Sequence, residues 1–400
     1  MMRYLIVGQY ASNKGDRAIA EYIVFSLLQE GVTDITLSTT QPKLWKNIFP
    51  KNVKIIRSGI PYFGLLKIKI IKKAYYKVIK VIIRRFFYKS VFNDKNGLTP
   101  LLISNKLIQS IKLSDHVILT GGHHITTLRE KDAIYEVTYD VALMHQHAKK
   151  FSIWSQTIGP LQFENIIAKE WFRKVFERAN SIYLRDNKSF DILNHQFGNP
   201  FVNLKRTEDT VFGFSKLLDG EVERSKEVAV SIFNGLPKAF NTFPVIAKLL
   251  DYIAIKGYKI IFFKMEHGDT ETSHIERIIS LMAIKTDYEI YPFETSTITH
   301  MNRLKKCSLS IGYKTHSVIM SLTANVPTLA ISYHPKTEYF MSLFGQDKSC
   351  FDDENLNIDR LTETIDYLIN NELQITNTLQ TRSSQICEIV DHSFIDMLRS

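Results

Sequence analysis

Short apolar runs, each ending in a polar turn and followed by an amphipathic stretch, recur along almost the whole chain. Residues 3–8 form an apolar run of the kind a strand shows when buried on both faces. A polar turn over 9–16 follows. Ile19, Ile23, Leu27 and Leu28 then recur at three- and four-residue steps, which predicts a helix over 17–29 closed by Gly31. Residues 34–38 are the next strand. The unit returns at 114–120, a strand running into the diglycine turn Gly121-Gly122. It returns again at 151–155, a strand leading to Gln156 and Gly159-Pro160, with a helix over 166–179 behind it. Residues 181–184 make a strand that ends in Arg185-Asp186. In the second half, strands are predicted over 228–233, 258–264, 288–291 and 308–311, alternating with helices over 243–256, 275–284 and 297–306. A turn carrying Lys314 and His316, a helix, and a strand that ends before Lys336 complete the series.

Alternating strands and helices of these lengths imply α/β architecture, two Rossmann-like doubly wound domains. The 400 residues exceed what one core usually holds, and a hydrophobic content of 44% is enough for two. The expected division is an N-terminal domain over 1–220, a C-terminal domain over 221–355, and C-terminal helices over 356–400 that could pack back on the first domain. The turn at 9–16 lacks GxGxxG, so the dinucleotide fingerprint is absent.

Charge changes the picture in one place. The net charge is +10, yet residues 51–90 hold twelve Lys and Arg and no Asp or Glu, so the rest of the chain is near neutral. Within that block, residues 64–90 carry Ile68, Ile71, Tyr75, Val78, Ile79, Ile82 and Phe86 at helical spacing, with basic residues between them. A basic amphipathic helix of this kind suits an anionic membrane surface. The aromatic residues follow the helix period rather than a base-stacking pattern, so nucleic acid is not the expected partner; a solvated face of a core helix is the plain alternative. Cys307, Cys350 and Cys387 lie far apart and outside any CxxC spacing, which argues against a disulfide framework or a zinc site and fits a reducing cytosol. No apolar run approaches the roughly 20 residues of a membrane span, and the N-terminus does not read as a signal peptide. A soluble or peripheral protein is expected.

The candidate chemistry sits at the strand ends, where ligands bind in open α/β sheets. Lys314 and His316, a cation and a titratable imidazole two residues apart, suit an acidic substrate; a buried structural histidine is the alternative. Gly15-Asp16 reads either as a ligand-binding helix start or as a plain one with Asp16 as cap. Gly121 and Gly122 allow close backbone approach, and His123 and His124 could contact what approaches. His145 and His147 fall on different faces of one helix, against a joint metal site.

Several motifs occur in a recognisable order: Asn13-Lys14-Gly15-Asp16; Leu119-Thr120-Gly121-Gly122; Gln156-Thr157-Ile158-Gly159-Pro160; Arg185-Asp186 followed by Ser189; Asp209; Gly312-Tyr313-Lys314-Thr315-His316; and Pro327 to Lys336. The ordered set resembles the polysaccharide pyruvyl transferases, enzymes that place a pyruvate ketal on sugars of cell-surface polymers. The resemblance covers residues 3 to about 345. It implies two domains facing a cleft in a GT-B-like arrangement, phosphoenolpyruvate as donor, no further cofactor and no metal. Carried over, His316 becomes the acid/base candidate. Lys314, Thr315, Arg185, Lys336, Gly15, Asp16, Gly121, Gly122, His123 and Gln156 become substrate-binding candidates. Two departures stand out. Lys314-Thr315-His316 occupies the place of the family's Arg-Leu-His, and lysine lacks the bidentate fork of arginine. His123 follows the diglycine where a third glycine is common. The implied partners are phosphoenolpyruvate and a sugar acceptor, lipid-linked, at the cytoplasmic face of the cell membrane. The competing readings are a glycosyltransferase using a nucleotide-sugar donor, and a non-catalytic carbohydrate-binding protein of the same fold.

Overall fold

A computed structural model describes residues 2–9, 13–45, 47–58, 105–127, 138–198, 201–232, 241–293 and 296–400. The basic stretch at 64–90 lies outside the described residues. The chain divides into two compact units. The first comprises Met1–Ala11, Ile19–Asp209 and His392–Ser400; the second comprises Ser12–Ala18 and Thr210–Asp391.

The first unit is built on a parallel sheet of strands β1 (Arg3–Gln9), β2 (Asp34–Thr39), β3 (Lys54–Arg57), β4 (His116–Leu119), β5 (Gly122–Ile125), β6 (Phe151–Ile158), β7 (Ser181–Leu184) and β8 (Leu204–Arg206). Their order is β3-β2-β1-β4-β6-β7-β8, with β5 beside β6. Every described pairing is parallel, for example Leu5 opposite Val117 and Ile153 opposite Ile182. All eight residues of β6 are buried, the polar Ser152, Ser155, Gln156 and Thr157 among them. The core on one face gathers Leu5, Val117, Phe151, Trp171, Phe172 and Phe176. A polar chain crosses the N-terminal strand ends: His116 Nε2 lies 2.9 Å from Ser152 Oγ, which lies 2.9 Å from Ser181 Oγ. Burial pushes the His116 imidazole down to about 3, so it is a neutral structural group.

The second unit carries β9 (Ser225–Ser231), β10 (Lys259–Phe263), β11 (Tyr288–Tyr291), β12 (Cys307–Gly312), β13 (Thr328–Ser332) and β14 (Cys350–Asp352), also parallel, in the order β11-β10-β9-β12-β13-β14. This is the doubly wound order in which the strand order reverses between the first and fourth strands, here β9 and β12. In β12 the small residues Ser308, Ser310 and Gly312 leave room for the helix that follows. That helix, Thr315–Thr323, packs so closely that a Cβ on Gly312 would stand 2.6 Å from Val318 Cγ2. Ser321 donates to Ser310 Oγ at 2.8 Å and Ser317 to the Lys314 carbonyl at 2.7 Å. The start of this helix is thus pinned to the end of β12, beside the switch point. The helix at Lys14–Gln29 begins earlier than the periodicity alone predicts, so Gly15 and Asp16 lie in its first turn rather than in the loop before it. Among the described residues no helix is long and apolar enough to cross a membrane.

Candidate functional site

The second unit brings together residues that are far apart in sequence. Lys314 is the N-cap of the helix Thr315–Thr323, in extended backbone conformation, so Thr315 and His316 occupy its first turn. The Lys314 ammonium donates to Glu266 Oε1 at 2.7 Å and lies 3.6 Å from Glu271 Oε1. Glu271 is buried. Its other oxygen accepts the backbone N–H groups of Met265 and Glu266, each at 2.8 Å, which ties down the loop after β10. Burial raises the Glu271 carboxyl above its ordinary range, and the Lys314 ammonium pulls against that rise.

The same loop holds the start of the helix Lys14–Gln29. The Met265 carbonyl accepts the Lys14 N–H at 2.9 Å. Lys14 is fully buried, with its ammonium 3.4 Å from the Ser296 carbonyl and 4.9 Å from the centre of the Phe293 ring. Asn13 caps this helix: its Oδ1 accepts the Asp16 N–H at 2.9 Å, and its amide donates to Asp16 Oδ2 at 2.7 Å. Asn13 is thus the N-cap, and its side-chain amide is held in turn by the Asp16 carboxylate. Gly15 is the seat of His316. A Cβ at Gly15 would stand 2.7 Å from His316 Cβ and closer still to the imidazole ring. The backbone of Gly15 is in an ordinary helical conformation, so the demand on this residue is one of space. Gly15→Ala should therefore displace the imidazole and cost about 1–3 kcal/mol of stability. A thermal melt checks this, and a wild-type melting temperature would show that the ring is not seated there.

Lys336 lies in the first turn of the helix Pro335–Leu343, where its N–H donates to Nδ1 of the capping residue His334 at 3.2 Å. This helix start is joined to that of Thr315 by a 2.9 Å bond between the hydroxyls of Thr315 and Thr337. The Tyr333 phenol is hydrogen-bonded to both the side chain and the backbone of Thr315, and burial raises it above its usual range. Gly15, Asp16, Lys314, Thr315, His316 and Lys336 thus belong to one unit. His300, wholly buried under this region, has its imidazole held well below the ordinary range by burial and, secondarily, by the Lys14 ammonium.

The remaining candidates belong to the first unit. Gly121 is hemmed in: a Cβ there would stand 2.8 Å from the Ser155 carbonyl oxygen. Gly122 has a φ of 136°, a conformation that favours glycine, and a Cβ there would stand 2.5 Å from His124 Nε2. Close approach at both glycines is therefore to the protein's own atoms. His123 Nε2 lies 2.5 Å from the Gly159 carbonyl. Gln156 is fully buried and donates to the Thr120 carbonyl, while its Oε1 has no hydrogen-bond partner among the described residues. Arg185 is buried, bonds Thr157 Oγ1 at 3.0 Å and pairs with the buried carboxylate of Asp209. Its charge is answered inside the fold.

Sequence reasoning passed over Lys14, Glu266 and Glu271 as site residues. A carboxylate in the first turn of the helix Thr270–Leu281 was the visible signal for Glu271, but that position also suits a plain helix start. Only the strand order sets it against Lys314.

The chain is similar to known proteins both in sequence and in fold. It is 22% identical to the amylovoran biosynthesis protein AmsJ of Erwinia amylovora, with 100% of each chain covered. In fold it is similar to S. aureus MnaA, solved with UDP, at a TM-score of 0.55 and 10% identity over 95% of this chain and 91% of that one. It is also similar to the UDP-GlcNAc 2-epimerase of Methanocaldococcus jannaschii, at a TM-score of 0.56 and 8% identity over 92% of this chain and 93% of that one. These likenesses agree with the α/β, GT-B-like class expected from the sequence. Residues 13–335, from the Asn13 cap to the Pro335 turn that precedes Lys336, match the model of the polysaccharide pyruvyl transferases. The chain belongs to the polysaccharide pyruvyl transferase family.

Proposed function

We propose that this protein transfers pyruvate from phosphoenolpyruvate to a sugar of a cell-surface polysaccharide or its lipid-linked precursor, forming a ketal. The observation that carries the reading is the imidazole of His316, seated on Gly15 two residues from the Lys314 ammonium, at the end of β12 beside the switch point. The donor needs cations for its carboxylate and phosphate, and Lys314 and Lys336 stand at adjoining helix starts. The reaction needs a proton delivered to the enol methylene, which becomes the ketal methyl group. It also needs two acceptor hydroxyls to form C–O bonds to the same carbon as phosphate departs with the second proton. An imidazole can serve either proton step. Arg185 keeps its charge within the pair with Asp209 and supports the fold of the first unit. The protein works at the inner face of the cell membrane, with residues 64–90 as the contact to anionic lipid.

The test is incubation with phosphoenolpyruvate and a panel of lipid-linked and free glycosides, following phosphate release. No release with any acceptor, together with no binding of phosphoenolpyruvate, rules the reading out. Thermal stabilisation by UDP but not by phosphoenolpyruvate would instead favour a nucleotide-sugar glycosyltransferase. No binding to phosphatidylserine vesicles at low ionic strength would remove the membrane part alone.

A further inference from the structure

The Lys314 ammonium faces two carboxylates, and they are not equivalent. The Glu271 side chain is 1% exposed, and its Oε2 is committed to two backbone N–H groups. The Glu266 side chain is 40% exposed, on the loop after β10, and it holds Lys314 at 2.7 Å. Two carboxylates against one ammonium present an arriving anion with a net negative group. The ammonium has a third N–H to offer, but a substrate anion pairs with Lys314 most favourably once one carboxylate leaves, and burial makes Glu266 the one that returns to water at low cost.

We propose that Glu266 is the exchangeable counter-ion of Lys314, a specificity-determining residue whose place the anionic end of the substrate takes, while Glu271 remains as the fixed partner. The proposal rests on the reading of Lys314 as a donor-binding cation. It also bears on the substitution of lysine for the family's arginine. An ammonium is a point charge without the planar fork of a guanidinium, so a Glu266 carboxylate and a substrate anion compete for the same charge. Exchange replaces sharing.

Glu266→Gln keeps the side-chain shape and removes the competing charge. By calorimetry, the variant should bind phosphoenolpyruvate on the order of three- to tenfold more tightly than the wild type. In a Lys314→Met background the same change should give no gain. Unchanged or weaker binding by Glu266→Gln, or a gain that persists without Lys314, overturns the proposal. Circular dichroism and a melt confirm that each variant is folded. If the wild type and Glu266→Gln both fail to bind phosphoenolpyruvate, the functional reading fails on its own. Inorganic phosphate is then the probe, and Glu266→Gln must tighten it in a Lys314-dependent way or the proposal is lost.

Discussion

Replacing His316 with asparagine should lower turnover with phosphoenolpyruvate on the order of 10²- to 10⁴-fold, the usual worth of a positioned acid or base. Binding of the donor should change little. Asparagine approximates the imidazole in size and can hydrogen bond, but it does not exchange a proton near neutrality. The seat on Gly15 remains, because the smaller side chain needs less room than the ring. A residue that only binds the donor would raise KM and spare kcat, whereas a proton-transfer group lowers kcat and kcat/KM together. Steady-state phosphate release and calorimetric titration with phosphoenolpyruvate separate the two cases. Turnover within a factor of about three of wild type would make His316 structural and end its acid/base role.

The largest effect on stability is expected at the other unit. Asp209→Asn should destabilise the protein by about 3–5 kcal/mol, because it leaves the Arg185 guanidinium charged and buried without its counter-ion. Thr157 Oγ1 satisfies only one of the Arg185 donors. The loss should be visible in urea unfolding at neutral pH. Replacing the pair together, as Arg185→Met with Asp209→Leu, should recover most of it, since two apolar groups of similar volume can substitute for a buried ion pair. That rescue also decides what Arg185 does. If the double variant is stable and still binds phosphoenolpyruvate, the guanidinium serves the fold. If stability returns but donor binding is lost, Arg185 contacts the substrate as well. An Asp209→Asn protein as stable as wild type would show that the pair contributes nothing.

Much of the fold was legible because the signals that encode it are local. The buried run of β6 and the strand at 288–291 were evident from composition and spacing, and so was the helix that follows Lys314. The start of the first helix was less so. Its periodicity begins at Arg17, but Asn13 and Asp16 exchange hydrogen bonds that extend it back to Lys14. An Asn followed three residues later by Asp was the available cue, one weaker than the usual Ser or Thr with Glu. The motif order carried the family, since most of the motifs lie at or just after the end of a strand.

The sequence by itself determined the alternation of strand and helix, the family, and the identity of the groups that could do acid/base and anion chemistry. Those follow from short-range preferences and residue type. The tertiary structure alone decided which groups meet. It set His316 on Gly15, gave Lys314 to Glu266 and Glu271, and enclosed Arg185 with Asp209. The reason is physical. A parallel sheet pairs strands that are distant in the chain, so the neighbours of a side chain are set by strand order and helix crossover. The freedom of Lys314 depends on those neighbours, not on the residues beside it in sequence. The Lys314-Thr315-His316 turn could be picked out from its residue types; that its lysine already holds an acidic partner could not.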